Sequence, residues 1–364
     1  MRIAYFINSF NSINWGGQAT SSGLKLLVES NYPDAEFVPL NEPPLPGKYI
    51  PWLRNHLNRK LADAILDDDV RRTGECLKRL SVPLGLFDGF DTVCFNGEGA
   101  IHSRSGHLIR LMGMLYYFKR QGAFVSVSNQ TVDLGQNALA QKVVSKVYRT
   151  VDYVAAREPV SLRELASLGI KAELVADAAY ALPRLTPEQI EKHTAHLGLP
   201  KRFIGVTGSS ALKKSSVSIM DFILNLVREH YQLPIVFLAN AKTDIALAEA
   251  LRQKHGFMII KPPVKYEQAM AVVARAEWII GGRQHPNIFA AMHHVPFIPF
   301  CGNTHKMQGV VELLGYPLNV LSYSKDQAAI KAAFIAADGL LEDLRKIEPP
   351  QLTHICLGKQ SECV

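Results

Sequence analysis

Short apolar runs alternate with longer helical patterns along most of the chain. In the first half, five runs predict strands: Ile3–Ile7, Asp91–Phe95, Phe124–Val127, Tyr153–Ala155 and Glu173–Val175. Helical patterns follow most of them, at Gln18–Glu29, Leu108–Arg120, Ala138–Tyr148 and Val160–Leu168. This alternation is typical of a parallel sheet with helices on both faces.

The second half repeats the arrangement. Its predicted strands are Phe203–Thr207, Ile235–Leu238, Phe257–Ile260, Trp278–Ile280 and Phe297–Pro299, and its predicted helices are Ser216–His230, Asp244–Lys254, Tyr266–Ala274, Asn287–His293 and Met307–Leu314. The proline-containing segment Pro183–Pro200 joins the two series. We therefore predict two Rossmann-like, doubly wound α/β domains, residues 1–183 and 184–320, which bind ligand in the cleft they face. The closing helical pattern, Ser324–Ile347, leads us to expect that residues 321–364 pack back on the first domain.

Composition and charge narrow the class of protein. The 364 residues are 48% hydrophobic and 20% charged, which is ordinary for a globular protein. No apolar run reaches the ~18 residues of a membrane span, and the N-terminus lacks the features of a signal peptide. Lysine and arginine exceed the acids by 40 − 33 = 7, which suits anionic small molecules or a negatively charged membrane face. Since there is no RNA-binding motif, we expect no nucleic-acid partner.

The cysteines and histidines argue against a metal site. The five cysteines are dispersed and form no CxxC pair, which favours reduced thiols in a cytoplasmic protein. His285 and His293 are eight residues apart, which is about two helical turns or ~12 Å along a helix axis. Metal–nitrogen bonds are only about 2.0 Å long, so these two side chains do not share an ion.

The segment Gly281–Pro286 carries the strongest chemical signal. It follows a predicted strand and opens a helix, with paired glycines that permit unusual backbone angles. Pro286 suits the first turn of a helix. Arg283 and His285 therefore lie beside free backbone N–H groups, which together favour an anionic ligand.

Polar residues also follow the strands of the first half. After the first strand, Asn14, Gly16 and Gly17 open a helix and could admit a phosphate or sugar, or form a capped turn; a dinucleotide-binding fingerprint is absent. After the second strand, Asn96-Gly97-Glu98-Gly99 places Glu98 on a tight turn, where it either binds sugar hydroxyls, acts as a general base or caps a helix. After the third strand, Asn129 offers an uncharged donor and acceptor of the kind that recognises sugars, and the ordinary polarity of a loop would also explain it.

Two charged residues follow the last strands of the first half. Arg157 precedes a helix, where it either holds an anion or forms an ion pair with Glu158 or Glu164. Asp177 is a lone acid in an apolar setting and is either structural or orients a catalytic residue.

The order of motifs resembles the polysaccharide pyruvyl transferases over roughly Ile3 to Pro317. Arg157-Glu158-Pro159-Val160-Ser161, then Leu168-Gly169-Ile170 and Asp177, is similar to one segment of that family. Gly282-Arg283-Gln284-His285, then Ala290-Ala291 and Val295-Pro296, is similar to a second, and Lys306 with Gly309 to a third.

The resemblance implies a GT-B-like fold, phosphoenolpyruvate as donor, and a sugar of a lipid-linked or polymeric glycan as acceptor. It also implies that Arg157, Arg283, Gln284 and His285 line the donor site, with Lys306 nearby. Phosphoenolpyruvate carries a carboxylate and a phosphate, so it needs several cationic contacts. No cofactor is implied. A cytoplasmic location at the inner face of the membrane would suit a lipid-linked acceptor.

Ketal formation needs a proton donor and a base near neutral pH, and histidine is the natural donor. We assign His285 as the acid and Glu98 or Asp177 as the base. We expect the first domain to be the acceptor side, with Asn14, Gly16, Gly17, Asn96 and Asn129, and the second domain to be the donor side. Two alternatives remain on the same architecture: a nucleotide-sugar glycosyltransferase, and a non-catalytic protein that binds glycans or anions.

Overall fold

Two parallel sheets form the framework of the protein in the computed structural model, which describes residues 1–44, 51–103 and 107–358. The chain divides into two compact units. The first comprises Met1–Ser9, Gly23–Ala178 and the chain from Leu352 onward, and the second comprises Phe10–Ser22 and Ala179–Gln351. The main division thus falls five residues before the predicted end of the first domain, and a short N-terminal segment joins the second unit.

The first unit is built around a six-stranded sheet. Its strands are β1 (Arg2–Phe6), β2 (Glu36–Leu40), β3 (Thr92–His102), β4 (Phe124–Asp133), β5 (Tyr153–Ala156) and β6 (Glu173–Leu174). Its helices are α1 (Trp15–Asn31), within which the division between units falls, α2 (Pro51–Leu66), α3 (Val70–Arg79), α4 (Leu108–Arg120), α5 (Ala138–Tyr148) and α6 (Pro159–Ser167). The strands pair in parallel in the order β2-β1-β3-β4-β5-β6.

The second unit contains a five-stranded sheet. Its strands are β7 (Ile204–Ser209), β8 (Ile235–Leu238), β9 (Met258–Ile260), β10 (Trp278–Gly282) and β11 (Phe297–Pro299). Its helices are α7 (Pro187–Thr194), α8 (Val217–Tyr231), α9 (Lys242–His255), α10 (Tyr266–Ala274), α11 (Gln284–Met292), α12 (Lys306–Leu313), α13 (Gln327–Gly339) and α14 (Leu341–Leu344). The parallel order is β11-β10-β7-β8-β9.

The predicted strands are all present, and the central ones are short apolar runs that are buried on both faces. All four residues of β8 are buried, and so are all six of β7. A strand covered on both sides by helices reads as a continuous apolar run, which is the pattern that the sequence shows. β2 was not predicted, because it is an edge strand that contains Pro39 and is only partly buried.

Two central strands are longer than predicted. β3 continues to His102 and β4 to Asp133. Asn96, Glu98 and Asn129 therefore belong to strands, and not to the loops after them as predicted. The extensions still lie at the carboxyl edge of the sheet, beyond the ends of β1 and β5.

The C-terminal part of the chain differs from the prediction. α13 belongs to the second unit, where Phe334 packs on Tyr231 of α8 with ring centroids 5.7 Å apart. The later, extended chain returns to the first unit, where the Thr92 hydroxyl donates to the Leu357 carbonyl at 2.9 Å. An irregular segment, and not the helix, therefore packs on the first unit.

The cysteines also correct the prediction in one place. Cys76, Cys94 and Cys301 are free thiols, as expected. Cys356 is disulfide-bonded, so the expectation of five reduced cysteines is wrong for it, and Cys363 lies outside the described residues. Among the residues that the structure describes, no helix combines the length and the hydropathy needed to cross a bilayer.

Candidate functional site

The segment Gly281–Pro286 lies at the point of the second sheet where the strand order reverses. β7 is the first strand of this unit along the chain, and it lies between β10 and β8. Open α/β sheets bind ligands beyond the carboxyl ends of their strands at such a reversal. Arg283, Gln284 and His285 follow β10 directly, so they stand at the expected ligand-binding edge.

The paired glycines allow this segment to approach its neighbours closely. Gly281 has a φ of 147°, and a Cβ there would lie 2.2 Å from the Thr207 hydroxyl oxygen. A Cβ on Gly282 would lie 2.5 Å from the carbonyl oxygen of Cys301. Side chains at these positions would push β10 away from the strand ends beside it, so both glycines fix where α11 begins.

Arg283 is held by a buried carboxylate that the sequence pattern did not indicate. Its Nε and Nη2 atoms donate to the two carboxylate oxygens of Asp244, each at 2.8 Å. The Asp244 side chain is fully buried and that of Arg283 is 12% exposed. Burial raises the pKa of the Asp244 carboxyl, although the charge and hydrogen bonds of Arg283 oppose the shift. The fork fixes the guanidinium plane and does not involve Nη1.

The N-terminal segment Phe10–Ser22 forms part of the same site. The Trp15 indole N–H donates to the Val264 carbonyl at 2.7 Å, and the Tyr266 amide donates to Gln18 at 3.0 Å. These contacts place the start of α1 within the second unit. The prediction that Asn14, Gly16 and Gly17 serve the first domain is therefore corrected: the chain folds this loop onto the second.

Gly16 contacts His285. A Cβ on Gly16 would lie 1.9 Å from Nδ1 of the imidazole. The Gly16 amide donates to the Asn14 side-chain oxygen at 2.9 Å, and the same oxygen accepts from the Asn240 amide group at 3.3 Å. Gly17 is buried one residue further along α1. The structure thus brings together Asn14, Gly16 and His285, which are far apart in the sequence.

Several buried polar atoms at this edge lack a hydrogen-bond partner among the residues that the structure describes. They include Nε2 of Gln284 and Oδ1 of Asn240, whose residues are 5% and 2% exposed. Buried polar groups in native proteins are nearly always paired, with protein or with an ordered ligand or water. These two atoms therefore have hydrogen-bonding capacity left for an ordered water or a bound molecule.

Lys306 lies at a neighbouring part of the same edge, at the start of α12. Its Nζ donates to the Asn303 side-chain oxygen at 3.1 Å, and the Ser210 hydroxyl donates to the same oxygen at 2.7 Å. Ser210 follows β7, so the loops after β7 and β11 meet here. A lysine at a helix start places positive charge beside free backbone N–H groups.

The first unit has a polar network at its own strand reversal, between β1 and β3. The carboxylate of Glu98 accepts from the Ser9 hydroxyl at 2.7 Å and from the Asn96 amide at 3.0 Å. Asn129 donates to Asn96 at 2.8 Å and accepts from the Ala178 amide at 3.0 Å. Asn96 and Asn129 are buried, whereas Glu98 is partly exposed. Within this network, Glu98 is the predicted residue that can reach solvent.

Backbone strain concentrates at this edge of the first unit. Ile7, Glu98 and Asn129 have φ values of 66°, 38° and 51°. A positive φ is costly for a side-chain-bearing residue, above all for a β-branched one such as Ile7. Strained residues of this kind are found preferentially at functional sites, so the edge that holds Glu98 is a second candidate site.

Arg157 and Asp177, predicted separately, form a buried ion pair with each other. Nη1 of Arg157 donates to Oδ2 of Asp177 at 2.7 Å, and Nε donates to the Thr131 hydroxyl at 3.0 Å. The two side chains are 3% and 2% exposed. Arg157 is thus ion-paired, but Glu158, one of its two predicted partners, instead caps α6 by accepting from the Ser161 amide.

Comparisons with known proteins agree with this architecture. Methanocaldococcus jannaschii UDP-GlcNAc 2-epimerase, solved with UDP-GlcNAc and UDP, is 14% identical, with a TM-score of 0.62 over 100% of this chain and 97% of its own. A putative UDP-N-acetylglucosamine 2-epimerase from Listeria monocytogenes is 10% identical, with a TM-score of 0.62 over 97% of this chain and 92% of its own. Staphylococcus aureus MnaA, solved with UDP, is 13% identical, with a TM-score of 0.60 over 95% of this chain and 91% of its own. At these identities the likeness shows the fold alone, which is GT-B, with two Rossmann-like domains.

The sequence itself matches one family. No curated protein matches the chain. The family model described as polysaccharide pyruvyl transferase matches residues 14–303, a span that includes Asn14, Gly16, Arg157, Asp244 and the Gly282–His285 segment. The chain therefore belongs to the polysaccharide pyruvyl transferase family.

Proposed function

We propose that this protein transfers pyruvate from phosphoenolpyruvate to two hydroxyls of a glycan sugar, forming a ketal and releasing phosphate. The observation that carries the proposal is the grouping of Arg283, Gln284 and His285 at the strand reversal of the second unit. In a member of this family, that grouping supplies a cation, a buried amide donor that the described residues leave unpaired, and an imidazole at the start of a helix.

The donor fits the charges at this edge. Phosphoenolpyruvate carries two acidic groups whose oxygens accept hydrogen bonds. Three groups can donate hydrogen bonds to these oxygens. The fork to Asp244 does not use Nη1 of Arg283, and Nε2 of Gln284 has no partner among the described residues. The N-terminus of α11 adds backbone N–H groups. Lys306, at the start of α12, supplies a second cation for the other acidic group.

The chemistry requires one proton donor and one base. His285 protonates C3 of the enol, which makes C2 electrophilic, and a sugar hydroxyl attacks C2. A second hydroxyl then forms the other C–O bond as the C2–O bond to phosphate breaks, and the two hydroxyl protons balance the new methyl hydrogen and the released phosphate. No step changes the overall oxidation level, so we propose that no redox cofactor takes part.

Burial distinguishes the two candidate bases. Glu98 is partly exposed in a strained strand of the first unit, which supports a role with the acceptor. Asp177 and Arg157 are buried and bound to each other, which favours a structural role for both over direct contact with substrates. We further propose that the enzyme works in the cytoplasm, at the inner membrane face when its acceptor is lipid-linked.

Phosphate release tests the proposal. We expect wild-type protein to release inorganic phosphate from phosphoenolpyruvate when given a suitable glycan, and Arg283→Ala to abolish release because the donor loses its best-oriented cation. Arg202→Ala is the control for loss of one positive charge from the same unit, since Arg202 is exposed and pairs with Glu277. Turnover of a UDP- or CMP-sugar without phosphate release would show a glycosyltransferase instead.

A second prediction concerns Gly16. Because a Cβ at this position would overlap the His285 ring, Gly16→Ala must displace the imidazole. A misplacement of about 1 Å at a reacting group costs roughly 10²-fold in rate, so we expect kcat for phosphate release to fall by about that factor. Gly339→Ala is the control, because a Cβ there has no neighbour within 4 Å. Wild-type kcat in Gly16→Ala would show that His285 does not act where the structure holds it.

A further inference from the structure

We propose that Oδ1 of Asn240 accepts a hydrogen bond from a hydroxyl of the acceptor sugar, so that part of the acceptor subsite lies in the second unit beside His285. This inference rests on the proposed function. It adds Asn240, which follows β8 and is not among the residues predicted from the sequence, to the substrate-binding residues.

The Asn240 side chain is buried with one polar atom unpaired. The residue is 2% exposed, and its Oδ1 has no hydrogen-bond partner among the described residues. A buried amide oxygen left without a donor costs about as much free energy as a lost hydrogen bond. The fold maintains this arrangement at a ligand-binding edge, where a bound ligand would offset the cost.

The hydrogen-bond network determines the orientation of the Asn240 amide. Oδ1 of Asn14 accepts from the backbone amide of Gly16 at 2.9 Å, so that atom must be an oxygen. It lies 3.3 Å from the Asn240 amide, so Asn240 must present its nitrogen there. Turning the Asn240 amide over would bring two oxygens together. The unpartnered atom is therefore an acceptor.

The two substrates differ in the hydrogen bonds that they can offer to this oxygen. The carboxylate of phosphoenolpyruvate is ionised near neutral pH, and a phosphate monoester has a second pKa of about 6. At pH 8 the donor substrate therefore offers only acceptors, which suit Gln284 and Arg283 but not Oδ1 of Asn240. A sugar hydroxyl is the substrate group that can donate a hydrogen bond to it.

Asn240 also lies close to the proposed acid. Asn240 contacts Asn14, Asn14 contacts the Gly16 amide, and Gly16 lies against the His285 ring. The backbone at Asn240 also hydrogen-bonds to Asp244, which holds Arg283. A hydroxyl at Asn240 is thus connected through short chains of contacts to both donor-side residues.

Equilibrium binding tests the inference on the full-length protein. Methyl glycosides of glucose, galactose and mannose are titrated calorimetrically at pH 8 into protein saturated with phosphoenolpyruvate. Every protein in this comparison, the wild-type reference included, also carries His285→Gln, so that turnover does not contribute heat to the titration. For a glycoside that binds the wild type, we expect Asn240→Ala to weaken binding roughly tenfold, with the Kd of phosphoenolpyruvate changed less than about twofold. An unchanged Kd for the donor shows that the variant is folded.

Deoxy analogues of the same glycoside complete a double-mutant cycle. The analogue that lacks the contacted hydroxyl should bind the wild type more weakly than the parent glycoside does. It should bind Asn240→Ala about as tightly as the parent glycoside does. Asn225→Ala, on the partly exposed face of α8, is the matched control and should leave glycoside affinity unchanged.

Three results would overturn the inference. The first is equal glycoside affinity in Asn240→Ala and wild type. The second is an Asn240→Ala variant that weakens binding of every deoxy analogue by the same factor as binding of the parent glycoside, and the third is no glycoside binding at all by protein loaded with phosphoenolpyruvate. Each of these is distinct from failure of the proposed function. That failure would appear as absence of phosphoenolpyruvate binding or of phosphate release in the wild-type protein.

Discussion

Asp177→Ala is expected to lower the free energy of unfolding by about 3–5 kcal/mol. The variant leaves the guanidinium of Arg157 in a site where it is 3% exposed, with the Thr131 hydroxyl as its remaining side-chain partner among the described residues. Water cannot solvate this charge without opening the interior of the first unit. Urea unfolding followed by circular dichroism measures the change.

Two controls separate the lost partner from the lost side chain. In Arg157→Met/Asp177→Leu both charges are removed, so we expect most of the stability to return. Glu36→Ala removes a partner of Arg2 in a pair whose side chains are 59% and 47% exposed, so we expect it to lower the free energy of unfolding far less than Asp177→Ala does. A loss below about 1 kcal/mol in Asp177→Ala would mean that Arg157 is solvated in solution, and would restore its predicted role as an anion ligand.

The central strands could be predicted because a strand buried on both faces needs an uninterrupted run of apolar residues. An uninterrupted apolar run such as Ile235–Leu238, set between two polar segments, fits a strand covered on both faces. β2 could not be predicted in this way, since it is only partly buried and contains Pro39, so its sequence is not an uninterrupted apolar run. The ends of β3 and β4 were misplaced because Asn96 and Asn129 look like loop residues, and only their hydrogen bonds to each other show why they lie in strands.

The candidate site was predictable where a residue follows its strand directly. This criterion selected Arg283, Gln284 and His285, and the same criterion applied to Ile235–Leu238 would have found Asn240. Contacts between distant segments were not predictable. Nothing local to Gly16 indicates that α1 begins against His285, and nothing local to Asp244 indicates that its partner is Arg283.

Burial also separates residues that the sequence treats as equivalent. Arg157 and Arg283 both follow a strand and precede a helix, and both were assigned to the donor. Their carboxylate partners differ in effect. Asp177 accepts from Nη1 of an arginine that is 3% exposed. Asp244 accepts from Nε and Nη2 of one that is 12% exposed, and this fork does not involve Nη1. Arg283 is therefore the better candidate for direct contact with an anion.

His285→Gln is expected to lower turnover steeply while leaving the binding of phosphoenolpyruvate almost unchanged. Proton transfer by a positioned side chain contributes typically 10²–10⁴-fold, and an amide cannot protonate C3 of the enol. We therefore expect kcat for phosphate release to fall by roughly 10²–10⁴-fold, while the Kd of phosphoenolpyruvate, measured by thermal shift, changes less than about threefold. His230→Gln is the matched control, because His230 lies on α8 and pairs with Asp338.

The separation of binding from turnover is what distinguishes the alternatives. A protein that only binds glycans or anions has no phosphate release to lose, and a glycosyltransferase leaves phosphoenolpyruvate intact. If His285→Gln keeps kcat within about tenfold of the wild type, the proton comes from another group, and Glu98 becomes the leading candidate because it is the partly exposed carboxylate of the first unit's polar network. If the Kd of phosphoenolpyruvate rises as steeply as kcat falls, His285 is a ligand of the donor and not its acid.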